Sequence, residues 1–428
     1  MTSSPALRRT PLHEVHVSLG ASFTDFGGWD MPLRYASDLA EHRAVRTAAG
    51  LFDLSHMGEV WVRGPQAGAA LDHALTGRAG TLGVGRARYM MIVATGGGVL
   101  DDLIVYRVCE ERYLVVPNAG NRERVAAALA ERASGFQAQV EDASDDTALL
   151  AVQGPRAVEV LSQVVDSGVA SPAALRPVPP DAARQAASPT SRGCGEADVL
   201  CGGELLARLR YYAVARATAA GHRVLLARTG YTGEDGFEIF CAGEDAVDLW
   251  EVVTRAAAAL PGVGDGGTTL PALTPCGLAA RDSLRLEAGM ALYGHELSEE
   301  VTPLDAGLAG VVKLGPEDPD FVGRSALAER SGRDGQAGTW TLVALRGQGR
   351  RAARAGCTVL GPDGQEVGEV TSGLLSPTLG YPIALARLRP GGPAPAGTWP
   401  VGTRLSVDVR GRALPMEVVT PPFYRRPR

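Results

Sequence analysis

Short apolar runs rich in β-branched residues alternate with turn signals between positions 89 and 118. Such runs favour strands over helices. Gly96, Gly97 and Gly98 mark a tight turn, because glycine adopts positive φ at little cost. A second turn falls at residues 110–112. The pattern predicts three consecutive antiparallel strands, and the other elements are assigned in relation to them.

Two neighbouring acids, Asp101 and Asp102, follow the glycine turn. Neighbouring side chains of a strand point to opposite faces, so we predict that these two carboxylates do not share one site. One of them faces solvent or caps the turn, and the other faces a cleft. The acid at the cleft is the leading candidate for a catalytic residue, and the alternation alone does not say which acid that is.

Apolar periodicity and stop signals divide the rest of the chain into further elements. The predicted helices cover residues 38–49, 65–75, 121–132, 156–165, 245–260, 278–288 and 321–329. The predicted strands include 137–140, 205–215, 222–228 and 237–241. The order of elements through residue 140 resembles a ferredoxin-like α+β unit. From residue 339 onward, alternating runs between Gly, Pro and Asp turns predict a small antiparallel barrel or jelly roll.

Composition narrows the class of protein. A chain of 428 residues predicts two or three domains, and 45% apolar with 21% charged residues is ordinary for a globular protein. A net charge of −6 without a long basic run argues against nucleic-acid binding. No run reaches the ~20 apolar residues of a membrane span, so we predict a soluble, cytoplasmic protein. The six cysteines form no C-x-x-C pair, which favours reduced thiols and predicts no metal site.

Residues 166–203 are rich in Pro, Ala, Ser and Gly and have no sustained period. We predict that this segment is a surface insertion without chemistry. Residues 261–267 contain a formal G-x-G-x-x-G, but the match follows a helix and not a strand, so it does not predict a dinucleotide site. The Ser55-His56 pair lacks the G-x-S-x-G context of a hydrolase nucleophile.

Arg281 and Arg285 lie four residues apart on a predicted helix. Like charges at this spacing repel, so an anionic group is expected opposite them. That group is either an internal carboxylate, such as Asp282 or Glu287, or something bound. Glu238 is a candidate partner for the arginines, and it is equally a candidate polar residue of the site.

Several stretches together resemble the T-protein family of the glycine cleavage system, the tetrahydrofolate-dependent aminomethyltransferases. They follow the family's order over nearly the whole chain: residues 9–33 ending in DFGGWDMPL, LFDLSHMGEVWVRG, GGVLDDLIVYR, AVQGP, GYTGEDGFEI, CGLAARDSLRLEAGMALYG and TSGLLSPTLGYPIALA. The 166–203 and 261–274 segments are longer than is usual in the family.

The resemblance implies an α+β fold of three domains in a clover-leaf, with ferredoxin-like α+β units and a C-terminal antiparallel β-barrel or jelly roll. Residues 1–55 with 145–275 would form a discontinuous first domain, into which an α+β domain of residues 56–144 is inserted. Residues 276–338 would form a helical linker region, and residues 339–428 the barrel.

The resemblance also implies the site. It places the family's catalytic aspartate at Asp101 and implies no metal. The implied folate-binding residues are Glu238, Arg281, Tyr89, Asn118, Met57, Tyr231 and, by a poor match near the C-terminus, Arg425.

The implied activity transfers the methylene group of aminomethyl-dihydrolipoyl H-protein to tetrahydrofolate with release of ammonia, in glycine catabolism and one-carbon metabolism. Tetrahydrofolate would be the co-substrate and lipoylated H-protein the partner, with no nucleic acid and no membrane involved. Two alternatives remain on the same fold, a folate-dependent demethylase and a folate-binding assembly factor for iron–sulfur proteins.

Overall fold

A computed structural model describes residues 6–176, 198–265, 268–332, 340–392 and 398–427. Several of its helices and strands contribute residues to the site. The helices of these residues are α1 His13–Ser18, α2 Asp38–Thr47, α3 Ala67–Ala74, α4 Arg122–Ala133, α5 Ala157–Leu161, α6 Gly202–Arg208, α7 Ala246–Ala258, α8 Leu278–Glu287 and α9 Arg324–Gly332.

The strands fall into three larger sheets and two short hairpins. In chain order they are β1 Ser22–Phe26, β2 Trp29–Arg34, β3 Gly50–Asp53, β4 Val60–Arg63, β5 Ala87–Val93, β6 Val99–Cys109, β7 Arg112–Val116, β8 Gln139–Asp142, β9 Thr147–Gln153, β10 Val165–Ala170, β11 Asp198–Cys201, β12 Val214–Ala219, β13 His222–Ala227, β14 Gly236–Ala242, β15 Val263–Asp265, β16 Thr268–Leu270, β17 Thr274–Pro275, β18 Thr341–Gly347, β19 Thr358–Leu360, β20 Glu366–Leu375, β21 Pro382–Leu388, β22 Arg404–Asp408 and β23 Ala413–Val419.

The first sheet has eight strands in the order β11-β10-β12-β13-β14-β9-β3-β17. Its neighbours pair antiparallel except β3 and β17, which are parallel. One face packs its apolar residues against α5, α6 and α7 and includes Ile239, Phe237 and the buried Trp250. Because that face is filled by helices, a ligand site on this sheet has to lie on the other face.

The second sheet has five strands in the order β5-β6-β7-β4-β8, and its strands lie in the chain between β3 and β9. Helices α3 and α4 cover one face, where Leu71, Leu103 and Val125 are buried together. On the other face Tyr106 and Leu114 share an apolar cluster with Phe52 and Phe240 of the first sheet. The two sheets therefore face each other across a common core.

The C-terminal strands close into a six-stranded antiparallel barrel in the order β18-β21-β20-β19-β22-β23. This confirms the expected barrel. Arg285 at the end of α8 donates to Ser372 Oγ of β20 at 2.7 Å, and the neighbouring Glu287 accepts from the backbone N–H of Thr378 at 3.0 Å. These bonds attach the barrel to the helix that carries Arg281.

The mixed α+β class is confirmed, and so are the three predicted strands, which are β5, β6 and β7. Residues 205–215 were predicted wrongly as a strand. They begin within α6 because Leu205, Leu206 and Leu209 repeat with helical spacing and are all fully buried. The helix predicted at 156–165 ends at Leu161, and the chain enters β10 at Val165.

The predicted insertion at 166–203 is wrong at both ends. β10 and β11 pair across it, with Gly168 opposite Leu200, as the outer two strands of the eight-stranded sheet. Residues 177–197, including Cys194, lie outside the described residues. Val263–Asp265 and Thr268–Leu270 pair antiparallel as β15 and β16, so the glycine-rich match is followed by a strand and not by a helix.

Membrane-spanning helices and metal-binding clusters were also considered among the described residues. Among the described residues, no helix combines the length and the apolar composition needed to cross a membrane. The same residues contain no group of three or more His, Cys, Asp or Glu side chains placed to hold a metal ion. The division of the chain into four segments, with residues 56–144 inserted, remains a proposal that the strand order supports.

Candidate active site

A cavity of about 310 Å³ lies between the two facing sheets and is closed on a third side by the segment after α8. Its walls are tyrosines and aliphatic side chains, with one arginine, two acids and one amide among them. The lining residues are Leu54, Met57, Tyr89, Asp102, Leu103, Ile104, Tyr106, Val116, Asn118, Leu149, Tyr212, Gly230, Tyr231, Glu238, Arg281, Gly289, Met290, Ala291, Tyr293 and Leu308. A mostly apolar pocket with a few converging polar groups is typical of a small-molecule site.

The two acids of β6 are held by one amide. Asn118 Nδ2 donates to Asp101 Oδ1 and to Asp102 Oδ1, both at 2.9 Å. Asp101 also accepts from the backbone N–H of Asn118 at 2.8 Å and from Asn121 Nδ2 at 2.8 Å. Asp102 Oδ2 instead accepts from the hydroxyl of Tyr89 at 3.0 Å. One amide thus connects the two carboxylates, although they are neighbours on a strand.

A β-bulge lies directly before the two acids. Ile92 of β5 pairs with Asp101, but the next residue, Val93, pairs with Val99, so Leu100 is an extra residue in β6. A bulge twists the strand and changes the direction of the side chains beside it. Asp101 is turned toward the start of α4, where Asn118 and Asn121 donate to it, and it is fully buried.

The cavity therefore meets Asp102 and not Asp101. Asp102 lines the cavity, together with Ile104 and Tyr106 two and four residues further along the same face of β6. Asp101 is absent from the lining and is 0% exposed. The expected catalytic role of Asp101 is not decided by this placement and stays a prediction, whereas the carboxylate that lines the cavity is that of Asp102.

Burial raises the pKa of both acids. It raises the pKa of Asp101 to about 7, with a further rise from the charge of Asp102. Burial also raises the pKa of Asp102 above its ordinary value, and the hydrogen bonds from Tyr89 and Asn118 oppose that rise. Two acids this close to one amide titrate as a pair, so the charge of one depends on that of the other.

Glu238 lies on β14, on the opposite wall from Asp102. Its Oε2 accepts from Tyr106 Oη at 3.0 Å and from the hydroxyl of Thr229. Burial raises the pKa of Glu238, and these hydrogen bonds and the charge of Arg281 counteract the rise. Because both protein donors go to Oε2, Oε1 is left to accept hydrogen bonds from a ligand.

The two arginines of α8 have separate roles. Arg285 is buried and pairs with Glu296 at 3.0 Å and Asp282 at 2.8 Å. Arg281, one turn earlier, lines the cavity and stacks 4.7 Å over the ring of Tyr231. Within the described part of the chain its guanidinium has no ion pair and no side-chain hydrogen bond. The internal-carboxylate alternative thus holds for Arg285, while Arg281 is available to a ligand.

Most of the other predicted residues meet at the same cavity. Met57, Tyr89, Asn118 and Tyr231 all line it. Arg425 does not, since it is exposed on the C-terminal segment outside the cavity, and its role as a folate contact stays a prediction without support from the cavity. The residue before it, Tyr424, packs instead under the guanidinium of Arg46 at 4.0 Å.

Ser55 and His56 do not form a nucleophile–base pair. Ser55 Oγ accepts from the backbone N–H of Leu149 at 3.1 Å. His56 is fully buried, and burial together with the positive charge of Arg281 lowers its pKa to about 3. A neutral imidazole without a hydrogen bond to the serine cannot activate it.

Tyr106, Tyr212 and Tyr293 were not predicted from the sequence, whereas Asp102 was one of the two acids considered for the cleft. Asp102 and Tyr106 carried a usable signal, because residues four apart on one strand share a face. Tyr212 and Tyr293 come from distant segments and had no signal of this kind.

A second, more open pocket of about 550 Å³ adjoins the cavity. Tyr231 and Arg281 line both, so this pair forms the partition between them. The outer pocket is bounded by α8, β1 and the barrel, and its rim includes Arg354 and His295. The cavity can therefore be approached from this side past a tyrosine and an arginine.

Family models match most of the chain. Residues 12–176 and 204–315 match the GCVT N-terminal domain, and residues 341–425 match the glycine cleavage T-protein C-terminal barrel domain. The chain belongs to the glycine cleavage T-protein family.

Relatives that match nearly the whole chain are named aminomethyltransferases. The aminomethyltransferase of Saccharopolyspora erythraea is 49% identical over 99% of both chains, and that of Streptomyces coelicolor is 50% identical over 99% of both. The solved aminomethyltransferase T of the Bartonella henselae glycine cleavage system is 34% identical, covers 98% of this chain and 99% of its own, and superposes with a TM-score of 0.78. The predicted activity is confirmed at this level: the chain is a glycine cleavage aminomethyltransferase.

Proposed function

We propose that the cavity binds tetrahydrofolate and that the chain transfers to it the methylene group of an aminomethyl unit carried on the dihydrolipoyl arm of H-protein, with release of ammonia. The observation that carries this proposal is the convergence of Asp102, Glu238 and Arg281 on one tyrosine-lined cavity. Within the described residues, Glu238 Oε1 and the guanidinium of Arg281 have no side-chain partner, and Asp102 lines the cavity.

The donor set fits a reduced pterin. A pterin presents N–H donors along one edge and a carbonyl oxygen near them, and Glu238 Oε1 and the Arg281 guanidinium offer the complementary acceptor and donors. Tyr89, Tyr106 and Tyr231 supply walls against which a flat ring packs. At about 310 Å³ the cavity is near the lower end of ligand sites, so it suits the ring system while the glutamate tail extends outward.

Tetrahydrofolate supplies the amine nitrogen that receives the one-carbon unit. The residues of this chain contribute position and charge. Tyr89 and Asn118 each donate to a different oxygen of Asp102, so its carboxylate is fixed in orientation. An ionised Asp102 beside the reacting amine would accept its hydrogen bond and stabilise the positive charge that develops there. Such a role is typically worth ~10²–10⁴ in rate.

The rest of the acceleration is attributed to positioning. Tyr231 is held by its hydroxyl, which donates to the carbonyl of Ala291. Its ring and Arg281 thus form a fixed partition between the cavity and the outer pocket. We propose that the carried arm enters through that outer pocket and reaches the reacting amine past this partition. A fixed approach of this kind converts two bound reactants into a pre-oriented pair.

The proposal is tested by measuring ammonia released from aminomethylated H-protein with and without tetrahydrofolate. Release that depends on both substrates, with formation of one methylenetetrahydrofolate per ammonia, is expected. Turnover of a methylated amine in place of the carrier would instead identify a demethylase. Folate binding without turnover of either donor would identify a folate-binding assembly factor.

A further inference from the structure

A third pocket, which we call the rear groove, runs across the seam between the two sheets on the side away from the cavity. It has a volume of about 730 Å³. Its floor is formed by six consecutive strands of the first sheet, from β11 at the edge to β9, and its wall by β4 and β7 of the second sheet. The edge-to-face ring pair of Tyr106 and Phe240, 5.7 Å apart, lies between this groove and the cavity.

Three arginines converge on the rear groove. Arg216 and Arg223 are on neighbouring strands, where Arg216 pairs with Leu225 and Thr218 pairs with Arg223. The two arginines are therefore diagonal neighbours on one face of the sheet, about 7–8 Å apart at the backbone. Arg112 approaches from the facing sheet, close enough that the charge of Arg216 contributes to lowering its pKa, after burial and Arg63.

None of the three arginines forms an ion pair within the described ranges. The one acid that lines the groove, Asp146, pairs with no cation there either. Nearby, Glu141 is taken by Arg63 at 2.6 Å. Like charges on one face destabilise each other when no counter-charge is present. On a chain whose net charge is −6, this local excess of positive charge is a specific feature and not a consequence of composition.

Apolar surface lies among these charges. The guanidinium of Arg112 stacks on the ring of Trp61 at 4.0 Å, and Val199 on β11 is 62% exposed. Leu225 and Phe240 lie on the groove floor. Unpaired arginines around a partly buried tryptophan and an exposed valine are the composition of a protein-binding surface more than that of a simple phosphate site.

We propose that the rear groove binds an extended acidic segment of a partner protein, in which carboxylates alternate with apolar side chains. Six strands spaced by ~4.8 Å make the floor about 24 Å long. That length matches about seven residues of extended chain at ~3.3 Å each. Carboxylates at alternate positions would reach the arginines, and the intervening side chains would meet Trp61 and Val199.

The chain's own undescribed segment is a poor alternative occupant. Residues 177–197 contain two acids and two arginines in the sequence, so they carry no net negative charge to complement the groove. The groove also lies apart from the cavity and the outer pocket, with which it shares no lining residue. The proposal is therefore independent of the folate site.

The test uses the full chain and a synthetic peptide of seven residues, capped at both ends, in which glutamate alternates with leucine. Isothermal titration calorimetry at low ionic strength is expected to show binding that weakens as salt is added, because exposed charges are screened. The double variant Arg216→Gln/Arg223→Gln should lose affinity at least about tenfold. Both side chains are exposed, so the variant should keep its melting temperature and its aminomethyltransferase activity.

Two controls make the result specific. Arg255→Gln removes an exposed arginine from α7, on the opposite side of the first sheet, and should leave the affinity unchanged. The same peptide with glutamine in place of glutamate should not bind. Equal affinity of the double variant and the unmodified chain would overturn the proposal. So would binding of inorganic tripolyphosphate without any binding of the glutamate peptide, because the groove would then hold only small anions.

Discussion

Replacing the cavity-facing acid by its amide separates charge from shape. In Asp102→Asn the side-chain oxygen can keep the hydrogen bond from Asn118 Nδ2, because an amide oxygen accepts as a carboxylate does. The new amide N–H₂ then faces Tyr89, whose hydroxyl can reverse its role and accept. Both contacts of Asp102 survive, so we expect the free energy of unfolding to change by less than about 1 kcal/mol.

Turnover should respond very differently. The lost charge is the one that would stabilise the reacting amine, and roles of this type supply ~10²–10⁴ in rate. The corresponding loss of transition-state stabilisation is about 3–5 kcal/mol at ~1.4 kcal/mol per factor of ten. Tetrahydrofolate affinity should fall by no more than about tenfold, since one hydrogen bond to a neutral group contributes ~0.5–1.5 kcal/mol.

The matched control is the neighbouring acid. Asp101 accepts only from donors: the N–H of Asn118, Asn118 Nδ2 and Asn121 Nδ2. An amide nitrogen in its place would face at least one of these donors in a buried position, whichever way the amide turns. Asp101→Asn should therefore cost about 1–3 kcal/mol of stability, and the shift of Asn118 would disturb the cavity indirectly.

The assay compares ammonia release, tetrahydrofolate binding and urea unfolding for both variants. We expect Asp102→Asn to be folded, folate-binding and nearly inactive, and Asp101→Asn to be destabilised. The reasoning is refuted if Asp102→Asn turns over like the unmodified chain while Asp101→Asn is inactive with normal stability and normal folate affinity. That outcome would return the catalytic role to Asp101.

Three further predictions concern binding, pH and the edge of the first sheet. Glu238→Gln and Arg281→Ala should each weaken tetrahydrofolate binding by about 1–3 kcal/mol in calorimetry, whereas Arg285→Ala, which breaks a buried ion pair, should mainly lower the melting temperature. The folded state binds the Asp101 proton more tightly than the unfolded chain does. The free energy of unfolding should therefore fall as the pH rises from 3.8 to about 7, by at most ~1.4 kcal/mol per pH unit. Urea titrations at several pH values should show a smaller slope for Asp101→Asn. Leu200→Ala should cost about 2–5 kcal/mol, because this side chain is 5% exposed on β11, and an unchanged unfolding midpoint would mean that β11 is not part of the sheet core.

Local patterns determined much of this protein. The glycine turn and the β-branched runs specified β5, β6 and β7, since turn geometry and strand preference act within a few residues. The repeated alternation after residue 339 specified the barrel strands in the same way. The spacing of Arg281 and Arg285 predicted an anionic counterpart, which Arg285 has in Asp282 and Glu296, and the order of motifs along the chain pointed to the family.

Tertiary structure decided which of two adjacent acids lines the cavity. Strand alternation placed Asp101 and Asp102 on opposite faces, but the extra residue at Leu100 exists only because β6 pairs with β5 in that register. Asn118, which holds both acids, reaches them from the end of β7. No local rule contains a register or a contact between strands, so the assignment between the two acids could not be settled along the chain.

Contacts between distant segments also decide the roles of the two arginines and the pairing of the edge strands. Whether Arg281 or Arg285 meets an internal acid depends on Glu296, eleven residues beyond Arg285 on a segment without regular structure. The composition of residues 166–203 described a loop, yet Leu200 is buried because β11 pairs with β10. Local sequence sets what a segment can form, and long-range pairing and burial select which of those forms is stable.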